Sequence, residues 1–157
     1  MSKNRHKMAV AAHLLLENDR GEVLFLRRAN TGYADGQWSV PAGHVDAGET
    51  VVEACVRETI EELGVVLAES DVRPVLVQHK RDSDGEERID FFFAATLPEG
   101  QVPIIAEPDK CDDLRWCARE LSTPVGKWWM SPGGTNYTNP WPQLGAERPT
   151  VSYPVSG

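Results

Sequence analysis

Residues 8–16, Met-Ala-Val-Ala-Ala-His-Leu-Leu-Leu, are apolar at every position but the histidine, the pattern of a strand buried on both faces. Asn18-Asp-Arg-Gly21 reads as a turn and residues 22–27 as a second strand, so the two form a predicted hairpin. Residues 28–37 carry Asn30, Gly32, Asp35 and Gly36 and read as a loop, followed by a short strand at 38–40 that Pro41 stops. A helical period then runs from about Thr50 to Leu63, and Gly64 supplies its C-terminal stop. Two more strands, at 73–79 and 87–97, flank the polar turn 82–86, with the best segment at 89–95. Residues 114–117 form one further short strand and 118–121 a turn of helix. From Ser122 the chain changes to six prolines and three tryptophans with few aliphatics, an irregular tail. Strands, one long helix and more strands predict a mixed sheet covered by helices.

Length and charge narrow the picture. The 157 residues are read as one domain with enough chain to bury a core. A formal net charge of -8 argues against a general nucleic-acid or membrane-surface binder, which needs a basic patch. No apolar run approaches the length that spans a bilayer, and no signal peptide is visible. Cys55, Cys111 and Cys117 form no C-x-x-C pair, which suits reduced thiols in a cytoplasm.

The helix carries the chemistry. With roughly 100° per residue, Glu58, Glu61 and Glu62 share one face, while Val52, Val56, Thr59, Ile60 and Leu63 gather opposite, against the sheet. Ala54, one turn before Glu58, leaves room above the carboxylates. No lysine intersperses the acids as on an ordinary solvated face, and the one arginine, Arg57, points to the flank. Three grouped carboxylates suit a hard divalent cation, Mg²⁺ or Mn²⁺, with positions left for water and substrate phosphates. Gly43 and Gly48 bracket a tight loop before the helix, with Glu49 at its exit.

Gly43, five residues, Glu49, seven residues, Arg57-Glu58, two residues, Glu61-Glu62, one residue and Gly64 together resemble the signature of the Nudix hydrolase family. Trp38-Ser-Val-Pro-Ala-Gly-His-Val45 and Glu107-Pro-Asp-Lys-Cys-Asp-Asp-Leu-Arg-Trp116 extend the likeness, which covers roughly residues 8–121. Thr59 departs from it, standing where the family usually has an aliphatic residue. The resemblance implies an α/β/α sandwich around a mixed sheet and metal-dependent hydrolysis of a nucleoside diphosphate linked to a group X. It implies metal binding by Glu58, Glu61 and Glu62 together with Gly43 and Glu49, with Glu61 sharing the metal or acting as base. Arg57 orients a glutamate, Glu49 for one, or makes an ordinary surface pair. Glu107 is a candidate further ligand or general base, and Arg27 or Arg28 a candidate phosphate contact. Trp38 is a candidate stacking residue; the alternative for it, as for Tyr33 and Phe91 to Phe93, is packing in the core or on the sheet.

Residues 81–83 lack the proline or tyrosine that marks the ADP-ribose and dinucleoside-polyphosphate branches. Elimination therefore points to a nucleoside triphosphate or modified nucleotide, as in MutT-like members. A nucleotide sugar or other diphosphate metabolite stands as the second reading, and a non-cleaving nucleotide sensor as the third. The tail aromatics Trp128, Trp129, Tyr137 and Trp141 either cap the cleft, pack on their own sheet or meet a second subunit in a homodimer.

Overall fold

The computed structural model describes residues 3–118 apart from residue 82; the predicted helical turn at 118–121 and the Pro/Trp-rich tail fall largely or wholly outside the described residues. Along the chain come β1 (Ala9–Glu17), β2 (Glu22–Arg28), β3 (Trp38–Ser39), β4 (Ala42–His44), α1 (Val51–Leu63), a 3₁₀ turn (Glu69–Asp71), β5 (Arg73–Arg81), β6 (Glu87–Thr96) and β7 (Cys111–Ala118). They build one mixed seven-stranded sheet in the order β3-β2-β1-β6-β5, with β4 on β1 and β7 on β2. The β1–β6 pair is parallel from Ala9↔Arg88 to Glu17↔Thr96, and the remaining pairs are antiparallel. The mixed sheet agrees with the sequence reading, and α1 is the one α-helix among the described residues.

Alternation along β1 and β6 splits the core in two. Leu14, Leu16, Phe93 and Ala95 face α1 together with Leu24 and Leu26. Leu15, Ala94, Val23, Phe25, Trp38 and Val40 form a second cluster on the opposite face.

The predicted hairpin is a hairpin only at its turn. β1 and β2 pair at Glu17↔Val23 and then diverge. Residues 38–44 fill the split, β3 pairing with β2 and β4 with β1, while Leu14 N donates to the Pro41 carbonyl at 2.8 Å. The sequence reading missed β4 because Pro41 and Gly43 are poor strand formers. In place, Gly43 is a strand residue paired with Ala12, where the sequence reading had it opening a loop.

Thr50 starts α1 with a reciprocal capping box to Glu53, and Gly64 ends it at φ 65°, its N–H donating to the Ile60 carbonyl. The expected separation of charged and apolar stripes does not hold. Ala54, Cys55, Thr59 and Leu63 are buried, whereas Ile60 is 43% exposed. The inward face is thus centred close to Glu58 and Glu62, and Ala54 seals the core. Its small volume lets α1 lie close to the sheet. Tyr33, also expected in the core or on the sheet, is 66% exposed.

Thr59 is fully buried and satisfies its hydroxyl on the Cys55 carbonyl at 2.7 Å, one turn back. That carbonyl also belongs to the helix ladder, so Thr59→Val removes one satisfied donor and keeps the shape. Urea unfolding is expected to place the variant within about 1 kcal/mol of the parent; a loss well beyond that would mean the hydroxyl has another role.

Candidate active site

Three backbone placements build the site. α1 presents Glu58 and Glu62 one turn apart on its inward face. β4 lies beneath them: the Ala42 N–H donates to Glu62 Oε2 at 3.1 Å, and Gly43 lies against Glu58. A Cβ on Gly43 would come within 1.9 Å of Glu58 Cδ, so any larger residue there must push the Glu58 carboxyl out of place. The chain after β6 closes the third side by capping the end of α1. Ile104 N donates to the Leu63 carbonyl at 3.0 Å and Ala106 N to the Glu62 carbonyl at 3.2 Å. This satisfies two C-terminal carbonyls of the helix and fixes Glu107 across from Glu62.

Arg57 ties the acidic loop to the helix. Its Nε and Nη2 donate to the two oxygens of Glu49 at 3.0 and 2.6 Å. Nη2 also reaches the His44 carbonyl at 3.0 Å, and Nη1 donates to Glu58 at 2.9 Å and Glu61 at 3.2 Å. The Arg57 fork, followed by the Asp46 N–H, holds the Glu49 carboxyl down to about 2. Glu49 in return leads the groups that raise the Arg57 guanidinium above its ordinary value.

The inner carboxylates behave oppositely. Burial pushes Glu58 upward against the pull of Arg57, and neighbouring Glu61 and Glu107 add to the rise. Glu62 is pushed to about 8, first by burial and then by Glu58, with Glu107 adding and Ala42 N–H and Arg28 opposing. Such crowding is what a multivalent cation relieves. Among the described residues no three His, Cys, Asp or Glu side chains already converge as a closed ligand set; Arg57 spans Glu58 and Glu61 instead.

Glu62 and Glu107 face one another across a pocket of about 100 Å³, which Arg27, Arg28 and Lys110 also line. Glu107 holds Lys110 Nζ at 2.9 Å. Arg27 pairs with Asp112 at 2.6 Å, and Arg28 binds the Tyr33 carbonyl and the Thr31 hydroxyl. Trp38 is 8% exposed, with the guanidiniums of Arg27 and Arg115 lying 5.6 and 4.6 Å from its ring centre. Glu61 and Glu49 therefore reach Glu58 through Arg57, whereas Glu62, Glu107 and Arg28 line one pocket, with Glu58 one helical turn from Glu62.

A second pocket, of about 350 Å³, adjoins the first and shares Arg28, Ser39 and Ala42 with it. Its floor includes His13, Arg88 and Asp90, which the sequence reading did not single out. Two polar outliers gave a signal: a histidine inside an apolar run and an aspartate two residues after Arg88 in the best strand.

The raised Glu62 carboxyl makes a prediction for the metal-free protein. Between about 4.5 and about 8 the native state keeps a proton that the unfolded chain has shed. The associated stability is fully present below about 4.5 and is lost as pH rises through about 8. In chelator, Glu62→Gln is expected to melt close to the parent near about pH 5 and several degrees above it near about pH 9. Parallel melting curves across that range would show that the carboxylate is not confined in this way.

Comparison with known proteins agrees with this geometry. The NUDIX domain family matches residues 7–135, reaching past residue 121, where the resemblance in the sequence ends. Isopentenyl-diphosphate Delta-isomerase of Cutibacterium acnes is 35% identical over 121 residues, 71% of this chain and 59% of that protein. Nucleoside triphosphatase NudI of Salmonella schwarzengrund is 42% identical over 60 residues, 38% of this chain and 43% of that protein. The chain thus spans less than two thirds of either curated relative. The solved structure of a MutT NUDIX hydrolase from Burkholderia pseudomallei superposes with a TM-score of 0.63 at 30% identity, over 72% of this chain and 84% of that one. With the glutamate-bearing helix, the glycine beneath it and the split hairpin all in place, this chain belongs to the NUDIX domain family.

Proposed function

We propose that the chain hydrolyses a phosphoanhydride bond in a nucleoside diphosphate linked to a group X, with a divalent cation, Mg²⁺ or Mn²⁺, held at the glutamates. The observation that carries this reading is that Glu62 faces Glu107 beside Arg28 at one small pocket, with Glu58 one helical turn from Glu62 and pushing its carboxyl upward. Mutually repelling carboxylates walled in by core and backbone are unfavourable on their own and fit an oxygen-seeking cation. Glu58, Glu61 and Glu62 would hold it, with the Gly43 carbonyl and Glu49 as further candidates. When bound, the ion neutralises phosphate charge and makes water a better nucleophile at neutral pH.

The chain's own residues divide the remaining work. Arg28, between both pockets, draws the phosphates in and fixes the substrate's direction. Arg27 and Lys110 add positive charge at the rim. Arg57 keeps Glu49, Glu58 and Glu61 in register, so the helix and its loop move as one piece. Glu107 faces the pocket opposite Glu62 and is placed to accept a proton from water entering between them. A nucleoside triphosphate or modified nucleotide remains the favoured substrate, and the NudI match supports it. The longer match to an isopentenyl-diphosphate isomerase supports the second reading, a nucleotide sugar or other diphosphate metabolite, in its base-free form.

Chromatographic detection of the products, whether phosphate, pyrophosphate, nucleoside monophosphate or sugar phosphate, tests both. The panel comprises nucleoside triphosphates, nucleotide sugars and isopentenyl diphosphate, each with Mg²⁺, with Mn²⁺ and with chelator. Turnover is expected with a metal only, fastest for a triphosphate, and Glu62→Gln should reduce it by about 100-fold or more while remaining folded. Release that persists in chelator or survives Glu62→Gln overturns the proposal, and fastest turnover of a base-free diphosphate moves the substrate to the second reading.

A further inference from the structure

The larger pocket has a charged floor that packing alone does not explain. Asp90 is 1% exposed, the one fully buried charged residue among those described. Alternation on β6 places Arg88, Asp90 and Phe92 on the face away from α1, and parallel pairing sets His13 of β1 beside Phe92. The His13 and Phe92 rings stack at 4.5 Å, and His13 Nε2 lies 3.1 Å from Asp90 Oδ1. Arg88 grips the same carboxylate side-on, Nε to Oδ1 at 2.6 Å and Nη2 to Oδ2 at 3.3 Å. Burial pushes the Asp90 carboxyl up, yet His13 and Arg88 together pull it below its usual value, so it is an anion. A strand that needed only to pack would hold an aliphatic residue here at no loss of stability. A buried anion gripping an arginine points instead to a need for a fixed guanidinium.

That guanidinium retains a free edge. The side-on grip leaves Nη1 and the second hydrogen of Nη2, and Nη1 donates to no partner among the described residues. Arg88 lines the pocket, whose 350 Å³ falls within the roughly 300–1,000 Å³ of small-molecule sites. Arg28, Ser39 and Ala42 border both pockets, so a group joined to phosphates beside Glu62 passes directly into this one. Arg28 and Arg88 outweigh Asp90 in charge, and a guanidinium offers donors alone.

We propose that this pocket seats the nucleoside of the substrate as a purine, and that Arg88, braced by Asp90 and His13, selects a 6-oxopurine over adenine. The proposal rests on the reading that the Glu62 pocket takes the diphosphate. Adjacent acceptors at O6 and N7 match the arginine fork, while adenine presents a donor at position 6 that the fork cannot meet. Asp90 and His13 are positioning residues, and Arg88 is the specificity residue.

The monophosphates GMP, IMP and AMP contain no anhydride, so calorimetric titration into the full chain reads binding apart from turnover. GMP and IMP are expected to bind alike, because they share the 6-oxo edge, and AMP at least about tenfold more weakly. Arg88→Lys keeps the charge on Asp90 but loses the fork, and should bring the three ligands close to equality without lowering Tm. Arg88→Gln should shift preference toward AMP, since an amide can both donate to N7 and accept from the 6-amino group. A purely structural arginine would move Tm and leave these ratios alone. Equal affinities in the parent, no binding of any of the three, or ratios unchanged by Arg88→Lys overturn the assignment. Loss of the ratios alongside intact metal-dependent turnover removes only this inference, whereas intact ratios without turnover remove only the hydrolytic reading.

Discussion

Glu62 faces inward from α1, one turn after Glu58, and shares that face with Ala54, Cys55 and Leu63. A carboxylate confined there has lost most of its water and received one backbone N–H in return. The arrangement persists because the surrounding core, Leu14, Leu16, Phe93 and Ala95 among it, is packed tightly enough to hold the helix against the sheet. Stability contributed elsewhere sustains a locally unfavourable site, and this is the condition under which a cation can bind with gain. Gly43 answers the same constraint from below: a side chain at position 43 would occupy the space that Glu58 fills.

Arg57 shows how the charge is divided. On its outer side it meets Glu49 bidentately and satisfies the His44 carbonyl, locking the loop to the helix. On its inner side it touches Glu58 and Glu61 through Nη1 alone. The outer contacts are short, numerous and matched in geometry, whereas the inner ones are single and longer than the best of the outer. An entering cation therefore competes for Glu58 and Glu61 without undoing the loop. Arginine suits this position because lysine, a point charge, cannot serve both sides from one fixed plane.

What the sequence disclosed follows the range of the interactions. The helix was legible because its caps, Thr50 with Glu53 and Gly64, are local chemistry, and so were the long strands with their apolar alternation. The strand β4 was not, because its pairing with β1 compensates for Pro41 and Gly43 from far along the chain. The helical phase was misjudged because the apolar residues were all assigned to the core and the acids to the opposite face, awaiting a cation. In place, Ala54, Cys55, Thr59 and Leu63 set the buried side, which leaves Ile60 outside and turns Glu62 inward onto the Ala42 N–H. Glu107 could be anticipated from its place in a familiar segment. His13, Arg88 and Asp90 could not, since only the parallel register of β1 on β6 brings a residue near position 13 to one near 90.

The sheet then acts as a partition with a passage. On the α1 side lie carboxylates that suit a cation and phosphates; on the other lie His13, Arg88 and Asp90, where hydrogen-bond direction matters more than charge. The split between β1 and β2 admits residues 38–42, which supply Ser39 and Ala42 to both pockets. A fully paired hairpin would leave no place for them in the sheet. On the proposed reading, the glutamate helix stays fixed for the reaction while residues on the far face of the sheet set selectivity. Arg28, beside the register shift between Arg27 and Arg28, is the one cation among the described residues that lines both pockets, and it lowers the Glu62 carboxyl against its burial.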